Sequence, residues 1–254
     1  MNTTKGQEQI RSLWDNIDGE IHIVYPELNI QRWALEFNKL FNDHLGSSPL
    51  VSDDLRSDRG SLELATWISR FGPHLTSGDV YAVMHITTLL SIFYGADNII
   101  FNEAFYIDNA NKKEKESILK NNIVLIGGPS GNPITFLFLK QYGLGKLFTH
   151  APTYDFEVKL PDDTKFESKP NPNELPLGGE IEDIGVFLKA VNPFNPEKFI
   201  FAVMGSNSWG TQGAASLCCS VSGAQYMENI KKFNFNSTWV KYLPVNCTFF
   251  LQNR

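Results

Sequence analysis

The sequence predicts an α/β layered sandwich whose sheet is mostly parallel and becomes partly antiparallel toward the C-terminal half. Three observations lead there. Short apolar runs alternate with segments of helical period, the order that right-handed crossovers between parallel strands require. The run Asn122-Ile123-Val124-Leu125-Ile126 is continuously apolar after its first residue, as a strand covered on both faces must be. Ile184–Val191 and Lys198–Met204 are two strands in a row, separated only by Asn192-Pro193-Phe194-Asn195-Pro196, so they pair antiparallel.

The elements follow in order. Ile21-His22-Ile23-Val24-Tyr25 is a β-branched run ended by Pro26, hence a strand and a turn. Ile30, Trp33, Ala34, Phe37, Leu40 and Phe41 recur at helical spacing, so an amphipathic helix is expected to about His44, broken by Gly46-Ser47-Ser48-Pro49. Leu50-Val51 reads as a short strand running into Ser52-Asp53-Asp54, and Ser61 as the cap of a helix over Leu62–Ile68. Ser77 or Asp79 caps a helix from Val80 to Phe93, whose apolar residues cover most of its circumference and predict a central position. Asn98–Phe101 is a strand leading to Asn102-Glu103, and Lys112–Leu119 is a charged helix. Ile134–Gln141 and the run beginning Ala214-Ala215-Ser216-Leu217 read as helices, and Val245–Leu251 as a last strand. Residues 151–180, with Pro152, Pro161, Pro170, Pro172 and Pro176, read as a hairpin or an irregular excursion over the surface. The whole of 1–254 is expected to form one α/β domain carrying that insert.

Composition narrows the function. Over 254 residues, 42% are apolar and 20% charged, which supplies an ordinary hydrophobic core. A net charge of −6 with no concentrated basic face speaks against nucleic acid. No stretch approaches the roughly 20 apolar residues of a membrane span, and the polar first twenty residues carry no export signal, so a cytoplasmic protein is expected. The three cysteines, Cys218, Cys219 and Cys247, have no framework spacing and read as free thiols, with core packing the simpler role for the first two.

Two glycine-rich turns carry the functional signal: Gly127-Gly128-Pro129-Ser130-Gly131-Asn132 after the central strand, and Gly205-Ser206-Asn207-Ser208-Trp209-Gly210-Thr211 continuing to Gly213. Ligands of open parallel sheets sit at such carboxyl ends, glycine admits a close approach, and helix-start amides favour an anion or an oxygen-rich group. The polar side chains of Asn132, Ser206, Asn207, Ser208 and Thr211 suit a phosphate, carboxylate or ribose, and Trp209 or Tyr25 offers a flat surface. Small residues at these positions also suit tight helix–sheet packing, with Asn132 and Thr211 as mere caps. A ligand site requires the two turns to open side by side onto a shared hollow at one rim. The chain has neither Gly-x-x-x-x-Gly-Lys-Ser/Thr nor Gly-x-Gly-x-x-Gly with a downstream acid, so no cofactor is expected.

The series Ile-Gly-Gly-Pro-x-x-Asn, an irregular insert, a strand, an Asn-Pro turn, a strand and Gly-Thr-x-x-Ala-Ala resembles Rossmann-like segments of prokaryotic surface-layer proteins and of uncharacterised bacterial proteins. It covers about residues 121–220. The resemblance implies a Rossmann-like architecture and no activity; the absence of an export signal sets this chain apart from the surface-layer case.

Glu103, and Asp53 with Asp54, follow strand ends. A carboxylate beside a nucleotide-type pocket is what cleavage of an N-glycosidic bond needs, to attack or stabilise the oxocarbenium-like carbon; the plainer role is a cap or a solvated charge. His22, His44, His74, His85 and His150 show no metal-ligand spacing. Ser130 is not in a Gly-x-Ser-x-Gly elbow, which disfavours a serine hydrolase. Small-molecule binding, of a nucleotide or another anionic metabolite, is therefore the leading expectation. An N-glycosidase or NAD-processing hydrolase is the first alternative, and a structural module whose turns bind nothing is the second. Self-association or a protein partner is compatible with all three.

Overall fold

The computed structural model describes residues 5–26, 77–129, 131–150, 156–159, 165–167, 180–206, 208–229, 232–235 and 238–248. Helix α1 (Lys5–Leu13) lies in a stretch that reads as merely polar; its few apolar residues, Ile10 and Leu13 with Trp14 just beyond, are all buried. Strand β1 (Ile21–Tyr25) stops at Pro26 as expected. Helix α2 (Ser77–Tyr94) leads through a short 3-10 turn to β2 (Ile99–Glu103), then to the short helices α3 (Ala104–Asn109) and α4 (Lys112–Leu119). Strand β3 (Asn122–Ile126) and helix α5 (Pro133–Gln141) follow. The two helices and the strand expected within 30–68, and Asp53 with them, lie outside the described residues.

Within the expected irregular insert, β5 (Phe156–Lys159) and β6 (Lys165–Glu167) join β4 (Phe148–His150) in a separate three-stranded antiparallel sheet. The chain then forms β7 (Glu180–Val191), β8 (Phe199–Gly205), helices α6 (Ser208–Cys218) and α7 (Val221–Asn229), and β9 (Lys232–Phe235) with β10 (Thr238–Thr248).

The main sheet has seven strands in the order β2-β1-β3-β8-β7-β10-β9. The first four run parallel, and β7, β10 and β9 complete it antiparallel. This is the Rossmann-like α/β sandwich, with the antiparallel part where the two successive strands placed it. Alternation sorts the core into two faces. Val24, Ile123, Leu125, Ile200, Ala202 and Met204 meet Ile134, Phe138 and Leu139 of α5 on one face. Ile21, Ile23, Val124, Ile126, Phe201 and Val203 meet α1, α2, α6 and α7 on the other.

Helix α2 departs from its expected central place. Ala82, Ile86 and Leu90 are buried, but Met84 and Ile92 are 64% and 72% exposed. The helix lies on the sheet with Val83, Leu89, Phe93 and Tyr94 packed beside the buried row, while the far side faces away from the core. Apolar residues around a whole circumference do not by themselves bury it.

Candidate functional site

Strand β1 sits between β2 and β3, and the chain leaves it to opposite sides. It reaches β2 by way of α2 on one face, then returns past β1 to β3 by α3 and α4, which pack on the other face. Connections that diverge in this way leave a crevice at the carboxyl ends of the two strands, here Tyr25-Pro26 and Ile126-Gly127. The first glycine turn stands at this switch point.

Gly127 has φ +88°, a conformation open to glycine and strained for other residues. A Cβ there would also lie 2.9 Å from Pro26 Cγ and 3.3 Å from Asp79 Oδ1. Asn132 is fully buried and uses both ends of its amide. Its Nδ2 donates to the carbonyls of Ile126 (2.9 Å) and Val24 (3.2 Å), tying β3 to β1. Its Oδ1 accepts from the amides of Ile134 and Thr135, both at 3.1 Å, and so caps α5. Thr135 Oγ1 donates to the Gly127 carbonyl (3.2 Å). With Pro133 lacking an N–H and the Phe136 amide bonded to the Asn132 carbonyl (3.3 Å), the start of α5 has no spare donor. The Gly128 amide, by contrast, donates to no acceptor among the described residues. Gly128, Pro129 and Gly131 are half-buried; Ser130 lies outside the described residues.

The second turn is shorter than the sequence suggests. Helix α6 begins at Ser208, so Ser208, Trp209, Gly210 and Thr211 form its first turn and only Gly205, Ser206 and Asn207 precede it; Asn207 is outside the described residues. The cause is Asp183, 1% exposed on β7. Its carboxylate accepts from the Gly210 amide and the Ser206 hydroxyl, both at 2.5 Å, and from the Ile184 amide at 2.7 Å. A carboxylate of the chain itself therefore occupies the positive end of α6. Gly210 presses on β7, where a Cβ would come 2.3 Å from the Ile184 carbonyl oxygen. Thr211 is 2% exposed, Ser206 is buried and Trp209 is half-buried. Sequence reasoning missed Asp183. The available signal was an acid at the foot of an apolar strand, on the same alternating set as Gly185 and Phe187.

The turns do share one rim, on adjacent parallel strands, but they abut. A Cβ on Gly128 would lie 2.9 Å from the Gly205 carbonyl oxygen. The hollow expected between them is closed by backbone, because β3 and β8 stand one strand spacing apart, about 4.8 Å. The other side of the first turn faces β1, whose following residue Pro26 would meet a Cβ on Gly127 at 2.9 Å.

Two carboxylates stand at this rim, one on α2 and one at the end of β2. Asp79, in the first turn of α2, is buried beside Gly127. Glu103 ends β2, is half-buried, and pairs in register with Tyr25. It occupies the cap position of α3 without a side-chain capping bond. Burial, and then the Glu103 charge, raise the Tyr25 phenol above its ordinary pKa. Two strand spacings put Glu103 roughly 10 Å from the end of β3. No match to this chain appears among family models, curated proteins or solved structures. The site stands on its geometry alone. Among the described residues no group of three or more His, Cys, Asp or Glu side chains could hold a metal ion, and no helix is long and apolar enough to cross a membrane.

Proposed function

We propose that this protein binds a small metabolite of nucleoside or nucleotide type at the β1/β3 switch point, in the cytoplasm. The observation that carries the proposal is the place of Tyr25 and its register partner Glu103 at the carboxyl ends of β1 and β2, beside the Gly127–Gly128 turn where the connections of β1 and β3 diverge. Carboxylates accept from hydroxyl groups, so a ribose-like part fits against Glu103, and the half-buried Tyr25 ring flanks a flat base. A phosphate cradled by helix-start amides is disfavoured, since Asn132 and Asp183 already take those amides.

Thermal shift against nucleosides, nucleotides, NAD and sugar phosphates tests this. A ligand at a hundred times its Kd stabilises by about 2.7 kcal/mol, which raises Tm by about 5–10 °C for a chain of this size. The rise should shrink in Tyr25→Ala, which removes the ring. No stabilisation by any of these compounds leaves the turns as packing devices.

The second reading is cleavage of an N-glycosidic bond. It is favoured by the half-buried position of Glu103 at the same rim, beside a phenol. Glu103→Gln should then keep the thermal shift and lose base release; release unchanged by that substitution, or none in the parent protein, removes the enzyme reading.

A further inference from the structure

The last residue of α6 and the one after it are adjacent cysteines with Sγ atoms 3.9 Å apart. Cys218 is fully buried and Cys219 partly exposed. The peptide unit joining them is held at both polar groups. The Cys218 carbonyl accepts from Trp14 Nε1 at 3.0 Å, and the Cys219 amide donates to the Ala215 carbonyl at 3.0 Å. Trp14 is itself fully buried, with ring centroids 5.3 Å from Phe187 and 5.1 Å from Phe201. Next to it, Asp15 pairs with the buried Lys189 of β7. Trp14 thus fastens the end of α1 to the end of α6 through the dithiol's own peptide group.

We propose that Cys218 and Cys219 form a peroxide-sensitive vicinal dithiol whose oxidation unfastens α1. The Cys219 thiolate, reachable from solvent, attacks one oxygen of hydrogen peroxide. The O–O bond breaks, leaving Cys219 as a sulfenic acid and releasing water once the departing hydroxide is protonated. The Cys218 sulfur then attacks the Cys219 sulfur. The S–O bond breaks, the Cys218 proton leaves with the hydroxide as a second water, and the disulfide forms. Two thiols and one peroxide give one disulfide and two waters, with two electrons passing to the peroxide. Burial, with the neighbouring sulfur, holds the Cys218 thiol well above its ordinary range, so it acts second.

An S–S bond is about 2.0 Å long, so the sulfurs must close by nearly half their present separation. The eight-membered ring contains the Cys218–Cys219 peptide, and that peptide must turn for the ring to close. Turning it breaks the bonds to Trp14 and Ala215. Conversely, the Trp14 bond holds the pair apart and reduced. This coupling is reciprocal, as linkage between two sites must be.

The test is peroxide treatment of the full chain followed by tryptic mass analysis. Cleavage after Lys198 and Lys231 isolates both cysteines without Cys247. The peptide 199–231 should become lighter by two hydrogens, revert with dithiothreitol, and stay unlinked in Cys219→Ser. Hydrogen exchange across residues 5–14 should quicken on oxidation. Trp14→Phe, which keeps the ring and loses the donor, should form the disulfide roughly fivefold more readily, the worth of one ordinary hydrogen bond. Exchange in the parent protein reads the same coupling should that variant not fold. Sulfinic acid on Cys219 without a 218–219 link overturns the dithiol, and unchanged exchange in α1 after disulfide formation overturns the latch.

Discussion

The two glycine turns leave adjacent parallel strands at one rim, and their helices are capped by opposite chemistry. At the first, Asn132 meets two amides and two carbonyls, so the cap must both accept and donate. At the second, the partners of Asp183 among the described residues include a hydroxyl and two amides, all donors. A carboxylate serves three donors and gains from the helix dipole; a neutral amide serves a mixed set. The residue type follows from the inventory of orphaned groups around it, and that inventory also explains why the turns are poor places for a free anion.

The sharpest test of that contrast is Gly210→Ala. A methyl 2.3 Å from the Ile184 carbonyl oxygen meets backbone on both elements, so a loss of about 3 kcal/mol or more is expected in urea unfolding. The charge swaps come next. Asn132→Asp removes the donors to Val24 and Ile126 and sets a carboxylate against two buried carbonyls, costing about 2–3 kcal/mol. Asp183→Asn keeps an accepting oxygen and should cost about 1 kcal/mol less than Asp183→Ala, which strands all three donors. If Asn132→Asp is neutral while Asp183→Asn unfolds the protein, the contrast between mixed and donor-only surroundings is wrong. Gly128→Ala should cost about 1–2 kcal/mol, since the two turns touch at 2.9 Å and one must give way.

The smallest effect separates the rim from the strand interior. His22, in mid-β1, is buried with Nδ1 3.0 Å from Asn102 Nδ2, and burial lowers its pKa below 6.5 despite Glu20 nearby. The unfolded chain therefore binds a proton before the folded one does. The stability contributed is present above about pH 6.5 and is lost as pH falls toward the lowered folded value. Tm measured from pH 7.5 to 5.5 should decline, and His22→Asn should flatten that part of the decline.

Much of the framework was legible. Strand β1 ends where Pro26 removes a donor, β3 is a run buried on both faces, and α4 covers the charged run Lys112–Leu119. These are local signals, carried by residues within one element. Helix α6 was misread by six residues because Gly210 and Gly213 disfavour a helix when considered alone; only the closeness of β7 makes small residues the right ones there. Helix α1 was missed because three apolar residues among polar ones acquire meaning only once Trp14 enters the core between Phe187 and Phe201. Glu103 was singled out as a strand-end acid, but its approach to Tyr25 belongs to strand pairing across 78 residues of chain, from 25 to 103.

By itself the sequence determined the α/β class, the doubly covered central strand and the antiparallel turn of the sheet, because periodicity and breakers act over a few neighbouring residues. Tertiary structure alone decided which orphaned backbone groups meet which side chain. Asp183 reaches Gly210 across 27 residues and Trp14 reaches Cys218 across 204. Hydrogen bonds act over about 3 Å, and at such separations only the folded path of the chain can bring the partners that close.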